Sequence, residues 1–359
     1  MINKYKPLLA LIAIIFLYNG CIKEIPFENN KTFNRISISG QFTNRPLTGD
    51  VTQDIDYHVI EIAEIPNENS ESQANGDPIE NATVLVRDDQ GKTFDFTYIG
   101  MGKYRTEAIG EIGKSYKLEV TIGDHTYESD FHTILPNAQI DSIRPALSLK
   151  SFISTNGTVS NRRIVDLVVN TKIFDGQNPL NVIYRLKGEH EFKEVDDRIA
   201  PDLRTCFIKQ NFDFGRINAF SGEDYPEFQL REIILHTQDY DYRFANNFSY
   251  LVEQFSVDKQ TIKYWNTIKK ITSEEQSLFD PPPGRFENNI KCTSHPDEAP
   301  FGFFTVASYT SKRIFTSALK LGVPMVNFCT GFGTRRPREC IDCRLFPNST
   351  TVRPAYWVF

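Results

Sequence analysis

The longest apolar run in this chain, Leu8 to Tyr18, is eleven residues, and that length decides how the rest can fold. A helix that crosses a bilayer needs about 20 apolar residues. Lys4 and Lys6 precede the run, and Asn19, Gly20 and Cys21 follow it. A short basic start, a short apolar stretch and a small residue make the layout of a secretory signal peptide over residues 1–20, not of a fold element. The remaining chain is therefore expected to build its core in water.

Cys21 sharpens this reading. A small residue before a cysteine, at the end of an apolar run, resembles the lipobox of bacterial lipoproteins. Leu17 and Gly20 fit that pattern, while Tyr18 is bulkier than usual and Asn19 replaces a small residue. Lipidation is expected on the Cys21 thiol, since each buried methylene adds about 0.8 kcal/mol and two or more chains make a durable anchor. Residues 21–35, with Lys23, Glu24, Glu28, Asn29, Asn30 and Lys31, read as a solvated tether.

The net charge is −6, and Lys and Arg are spread without a dense basic block. That argues against a nucleic-acid partner. Aromatic residues make up 13% of the chain, led by 28 Phe and 15 Tyr, which favours strands.

The organisation reads as mainly β: an immunoglobulin-like β-sandwich over 36–135, then a larger β domain over 140–359 carrying one α-helix near 257–275. Ala82 to Arg87 runs into a turn at Asp88-Asp89-Gln90-Gly91, and Phe94 to Ile99 pairs back. Ser115 to Ile122 and His125 to Phe131 form a hairpin across Gly123-Asp124. Short strands with regular turn signals indicate a sandwich. Pro66 to Pro78 reads as a loop, and Leu135 to Pro145 as a junction. Beyond it, Val165, Leu167 and Val169 alternate in a half-buried strand. Ile262, Trp265, Ile268 and Ile271 recur at helical spacing, with Ser256 placed to cap and Asp258 near the positive end of the helix dipole.

Chemistry-bearing residues are sparse. After Cys21 come Cys206, Cys292, Cys329, Cys340 and Cys343, an odd number, so one is expected to stay free if the others pair. Connectivity is not readable from spacing. The Cys340-x-x-Cys343 pair reads as a structural disulfide stapling a loop, in preference to a redox couple or a zinc site. Pro337 and Pro347 flank it, and no second close pair exists. His58, His125, His132, His190, His236 and His295 are scattered and read mainly as surface histidines, so no metal is expected. There is no Gly-x-Ser-x-Gly elbow, His-Glu-x-x-His helix or phosphate-cradling loop, so neither enzymatic activity nor a cofactor is expected. Phe279, Pro281, Pro282 and Pro283 could form a rigid binding lip; a helix terminator that packs Phe279 inward is the favoured reading. Phe359 does not mark a barrel strand, because Pro354 interrupts the alternation.

These landmarks resemble one family in order and spacing. They are Gly40, Ala82-Thr83-Val84-Leu85-Val86 with Asp88-Asp89-Gln90-Gly91, Gly102-Lys103-Tyr104, and Ile140-Asp141-Ser142-Ile143. Further along come Tyr264-Trp265, Leu278-Phe279-Asp280-Pro281-Pro282-Pro283-Gly284 with Asn289-Ile290, Gly302-Phe303-Phe304, Cys340-x-x-Cys343 and Trp357. Together they look like the "domain of unknown function 4249" family of Bacteroidetes lipoproteins. One departure is Leu345-Phe346-Pro347, where the family often has a Gly-Gly step. The resemblance implies a lipoprotein anchored in the outer membrane, on either face, as a non-catalytic accessory to a TonB-dependent transporter in substrate capture. A free-standing surface binder of glycan or protein and a thiol-disulfide redox protein are the alternatives.

Overall fold

The computed structural model describes residues 35–48, 57–65, 76–195, 203–210, 212, 217–272, 288–329 and 336–357. The signal segment, Cys21, the loop at 66–75 and the Phe279 to Pro283 segment lie outside the described residues. The chain is mainly β, with one long helix. The first strands are β1 (Arg35–Thr43), β2 (Val59–Ile65), β3 (Asp77–Pro78), β4 (Ala82–Asp88) and β5 (Thr93–Gly100). They continue as β6 (Lys103–Arg105), β7 (Ser115–Ile122), β8 (His125–Ser129) and β9 (His132–Thr133). Then come β10 (Gln139–Ile153), β11 (Val159–Lys172), β12 (Asn181–Lys193), β13 (Thr205–Gln210) and β14 (Asn218–Phe220). β15 (Gln229–Asp239) and β16 (Phe248–Val257) lead to α1 (Lys259–Thr272). β17 (Ile290–Cys292), β18 (Phe304–Thr316), the short α2 (Ala318–Leu321) and β19 (Ser349–Thr350) complete the described elements.

Local sequence explains the early hairpins. Val84 and Val86 of β4 point inward, as do Tyr116, Leu118 and Val120 of β7, which is the period-two burial their alternation requires. The turn after β4 is held by Asp88, whose Oδ1 accepts from the Gln90 and Lys92 amides at 3.0 and 2.7 Å. Ile122 faces His125 across Gly123-Asp124, as the turn predicts.

The large sheet runs β17-β8-β7-β4-β5-β6-β2-β1-β18-β16-β12-β13-β19, and a second sheet is β10-β11-β15. Two cores result. Ile38, Ile60, Ile62, Val84, Val86, Leu118 and Val120 form the first. In the second, Val165, Leu167 and Val169 of β11 meet Val182 and Tyr184 of β12 and Tyr250 and Val252 of β16. In this stretch Ile134 is the last residue of the first core and Ala138 the first of the second, but Ile290, Cys292, Phe304 and Val306 return to the first core from late in the chain.

β18 is shared between the two regions. Its residues 304–307 pair in parallel with β1, and residues 308–316 pair antiparallel with β16. The approach is closed by Phe301, whose amide donates to Ile36 O at 2.7 Å and whose carbonyl accepts from the Ile38 amide at 2.8 Å. Gly302 sits at φ 102°, where a Cβ would fall 2.0 Å from Ile38 O, so only glycine fits. Residues from Arg35 onward accordingly form one compact unit.

Two local expectations are corrected. Residues 139–153 are a long strand, β10, not a junction; Pro145 is tolerated because β10 pairs only with β11 among the described residues, so it is an edge. The cap of α1 is Asp258, not Ser256: the Thr261 amide donates to Asp258 Oδ1 at 2.8 Å. Ser256 lies in β16 and accepts from the Ala138 amide at 3.0 Å. Ile262 of α1 packs with Phe255, Val257 and Ala307, with Trp265 partly buried beside them.

Candidate functional site

A groove of about 370 Å³ opens beside α1, lined by Ala219, Phe220, Ser221, Asp224, Tyr225, Asn266, Lys269 and Lys270. Two segments form it. β14 brings Ala219 and Phe220, held to β12 by the Val182↔Phe220 and Ile183↔Ala219 pairs. The turn that follows turns back at Gly222, whose amide donates to Asn181 Oδ1 at 3.2 Å. A Cβ at Gly222 would lie 2.4 Å from Leu180 O, so this close approach depends on glycine. α1 supplies Asn266, Lys269 and Lys270 one turn apart, as i and i+3 or i+4 neighbours on one face.

The side chains are already organised. Asn266 Nδ2 donates to Ser221 Oγ at 3.4 Å, and Lys269 Nζ donates to Ala219 O at 3.3 Å. The Lys269 ammonium lies 5.2 Å from the Phe220 ring centroid. Phe220 and Tyr225 meet edge to face at 6.0 Å. Burial raises the Tyr225 phenol above its ordinary range, and Asp224 adds to that. The lining thus combines the partly buried Tyr225 ring, over a buried Phe220, with hydroxyl, amide, ammonium and one carboxylate. It can hydrogen-bond a polar ligand beside the Tyr225 ring. Sequence reading missed this groove, because β14 and α1 meet only after the chain has folded. The helical periodicity of α1 was the one available signal.

A second polar cluster lies on the same β12–β16–β18 sheet. The Arg45 guanidinium sits 3.5 Å from the Tyr57 ring centroid and 5.5 Å from that of Tyr309. Tyr309 Oη donates to Glu253 Oε1 at 3.1 Å, and Lys187 Nζ donates to Tyr57 Oη at 3.2 Å. These contacts tie the region around Tyr57 to the sheet, which is a structural role for buried charge.

Cys340 and Cys343 do not bond to each other. The bridges are Cys206–Cys343 and Cys329–Cys340. The correction has a local cause. Cys340 ends one 3-10 turn and Cys343 begins the next, which Asp342 caps by accepting from the Arg344 amide at 3.2 Å. The change of direction between the turns aims the two sulfurs at different neighbours. The bridges lie in an aromatic cluster with Phe192, Ile208, Phe328 and Phe346. Among the described residues Cys292 is the free cysteine, buried in β17.

The expectation of surface histidines also needs correction, since His58, His132 and His190 are buried. His132 lies between Asp258 and Asn289, and His190 between Tyr242 and Phe248. Each occupies a packed or hydrogen-bonded niche that sequence spacing does not reveal. Among the described residues no group of three His, Cys, Asp or Glu side chains is placed to hold a metal ion. No described helix is long and apolar enough to cross a membrane.

A family model described as "Domain of unknown function (DUF4249)" matches residues 50–313. The chain belongs to the DUF4249 family. No curated protein matches it. The groove of this DUF4249 chain lies wholly within the matched residues, whereas Cys329, Cys340 and Cys343 lie beyond them. Several of the landmarks that suggested the family are joints of the fold: Gly302 and Phe304 at the β1–β18 pairing, and Asn289 against Phe304.

Proposed function

We propose that this DUF4249 chain is a lipid-anchored outer-membrane protein that acts as a non-catalytic accessory to a TonB-dependent transporter in substrate capture. The anchor rests on the Lys4 to Cys21 pattern, with lipid on the Cys21 sulfur. The observation that carries the binding role is the groove beside α1, which offers the Tyr225 ring and hydrogen-bonding groups. Tyr225 beside Asn266 and Lys270 suits a sugar ring: an apolar face meets the Tyr225 ring while hydroxyls meet the amide and ammonium.

Three measurements test the reading. Mass spectrometry of the processed protein is expected to find a lipid-modified N-terminal Cys21; an unmodified thiol would remove the anchor. Gentle detergent extraction is expected to co-purify the transporter, and recovery of the lipoprotein alone would favour a free-standing glycan or protein binder, the second reading, which Tyr225 supports. Glycan-array binding is expected to be lost in Tyr225→Ala and Lys269→Glu, with a lower melting temperature from the lost Phe220 and Ala219 contacts, and to be retained in Tyr225→Phe. Unaltered binding would move the site elsewhere.

A further inference from the structure

The β10–β11 hairpin is longer than the sheet that supports it. β15 pairs with β11 only from Ile164 to Lys172, and the Tyr240 amide adds one bond to Arg163 O. β10 and β11 continue pairing outward through Lys150↔Arg162, Ser151↔Asn161 and Phe152↔Ser160 to Ile153↔Val159. At about 3.4 Å per residue, this two-stranded arm projects about 14 Å beyond the third strand. A ribbon of two strands is marginal in water by itself.

The arm keeps the face that packs inward lower down. Leu147 and Val165 belong to the second core, and Leu149, Ile153 and Val159 continue the same face outward. There they are 68%, 76% and 62% exposed. The outer edge of β10 is also open, since β10 pairs only with β11 among the described residues. Natural edges are blunted by bulges, prolines or projecting charges. In β10 the one register shift lies far back, between Ile140 and Ser142, and Pro145 lies inward of the arm. Lys150 is drawn across the face to Asp166 at 3.0 Å.

We propose that the arm of β10 pairs antiparallel with the same strand of a second copy of this chain, about a two-fold axis through Ser151. A two-fold normal to the sheet keeps every residue on its own face, so the axis must pass through a residue, and the centres within the arm's reach run from Leu149 to Phe152. An axis at Lys150 or at Phe152 sets Ser151 against Leu149 or against Ile153, so the exposed apolar residues do not meet each other. An axis at Leu149 sets Ile153 against Pro145, which has no N–H to donate. An axis at Ser151 sets Leu149 against Ile153 twice, pairing the exposed apolar residues, and sets Phe152, whose ring already carries Arg162 at 3.8 Å, against Lys150, which stays on Asp166. The product is a four-stranded sheet, β11-β10-β10-β11, which meets the number of strands an independent sheet needs. The tip, Ser154 to Thr158, is polar, which disfavours insertion into lipid. The pairing is small, so its dissociation constant is expected in the range of about 10–100 μM. It does not depend on the function proposed above.

Cross-linking of the full chain in detergent tests this register. Opposed Ser151 residues would have Cα atoms about 5 Å apart, within disulfide range, whereas opposed Asn161 residues would be about 14 Å apart. Mild oxidation of Ser151→Cys is expected to give a covalent dimer well above the wild-type background, and Asn161→Cys is not. Sedimentation of the wild type is expected to show a reversible dimer that Leu149→Lys/Ile153→Lys abolishes without lowering the melting temperature, as both side chains are exposed. A monomer at several hundred micromolar, or equal cross-linking at both positions, would overturn the proposal. So would an unchanged oligomeric state with lost binding to anionic phosphatidylglycerol vesicles, which would make the arm a membrane contact.

Discussion

Asn289 and Phe304 are joined by two hydrogen bonds: the Phe304 amide donates to Asn289 Oδ1 at 2.9 Å, and Asn289 Nδ2 donates to Phe304 O at 2.7 Å. A side-chain amide stands where the backbone of a neighbouring strand would. The remaining Nδ2 hydrogen goes to His132 Nε2 at 2.8 Å, which leaves His132 Nδ1 to donate to Asp258, the cap of α1. One buried chain of bonds therefore links β18, β9 and the helix. Asn289→Ala leaves the Phe304 peptide and the His132 ring without partners at a site with no solvent access. The expected loss is about 3 kcal/mol, read as a lower urea midpoint with an unchanged slope.

His190 predicts a different pH response. Burial, with a smaller contribution from Arg243, lowers its imidazole to about 4. Both ring nitrogens lack hydrogen-bond partners, and the ring stacks on Phe248. The unfolded chain binds this proton below about pH 6.5 while the folded chain does not, so stability falls as pH drops from 6.5 towards 4. His190→Phe keeps the ring and removes the proton site. Thermal melts at pH 5 are expected to show the variant more stable than wild type by about 2 kcal/mol, with the gap closing above pH 7.

Glu119 works in the opposite sense. Hydrogen bonds from Arg87 at 2.7 and 2.8 Å, aided by Lys117, lower its carboxyl to about 2 against the opposing effect of burial. Its contribution is present above the ordinary glutamate range and is lost as pH falls from about 4.3 towards 2. Arg87 is partly exposed, so solvent screening leaves about 1 kcal/mol. Glu119→Gln is expected to flatten the acid limb of the stability profile by that amount and to leave stability below pH 2 nearly unchanged.

The bridges give a direct chemical prediction. Digestion without reduction is expected to yield linked peptides carrying Cys206 with Cys343 and Cys329 with Cys340; a Cys340–Cys343 peptide would contradict the structure. The first bridge spans 137 residues and the second 11. Loop-closure entropy makes the longer one worth about 5 kcal/mol and the shorter about 3. Cys206→Ser/Cys343→Ser is thus expected to lower stability more than Cys329→Ser/Cys340→Ser.

The β4–β5 and β7–β8 hairpins were legible because everything that makes them lies within a few residues: alternation, Asp88 in one turn and Gly123 in the other. The helix was legible for the same reason, although its cap moved to Asp258, since Ser256 was taken by the Ala138 amide. The groove was not legible, because Ala219 and Lys269 are 50 residues apart. Nor was the burial of His132, which depends on Asp258, 126 residues away.

From sequence alone came the β-rich class, the single long helix, the membership signalled by ordered landmarks, and the expectation of a lipid on Cys21. Each rests on neighbours along the chain, where turn chemistry and side-chain period act without knowledge of the rest. The sharing of β18 between two regions, the cysteine pairing, the groove and the overhanging arm were decided by tertiary structure. These arise where segments far apart in the chain come to share one buried face, and local spacing carries no record of which distant residue will be waiting there.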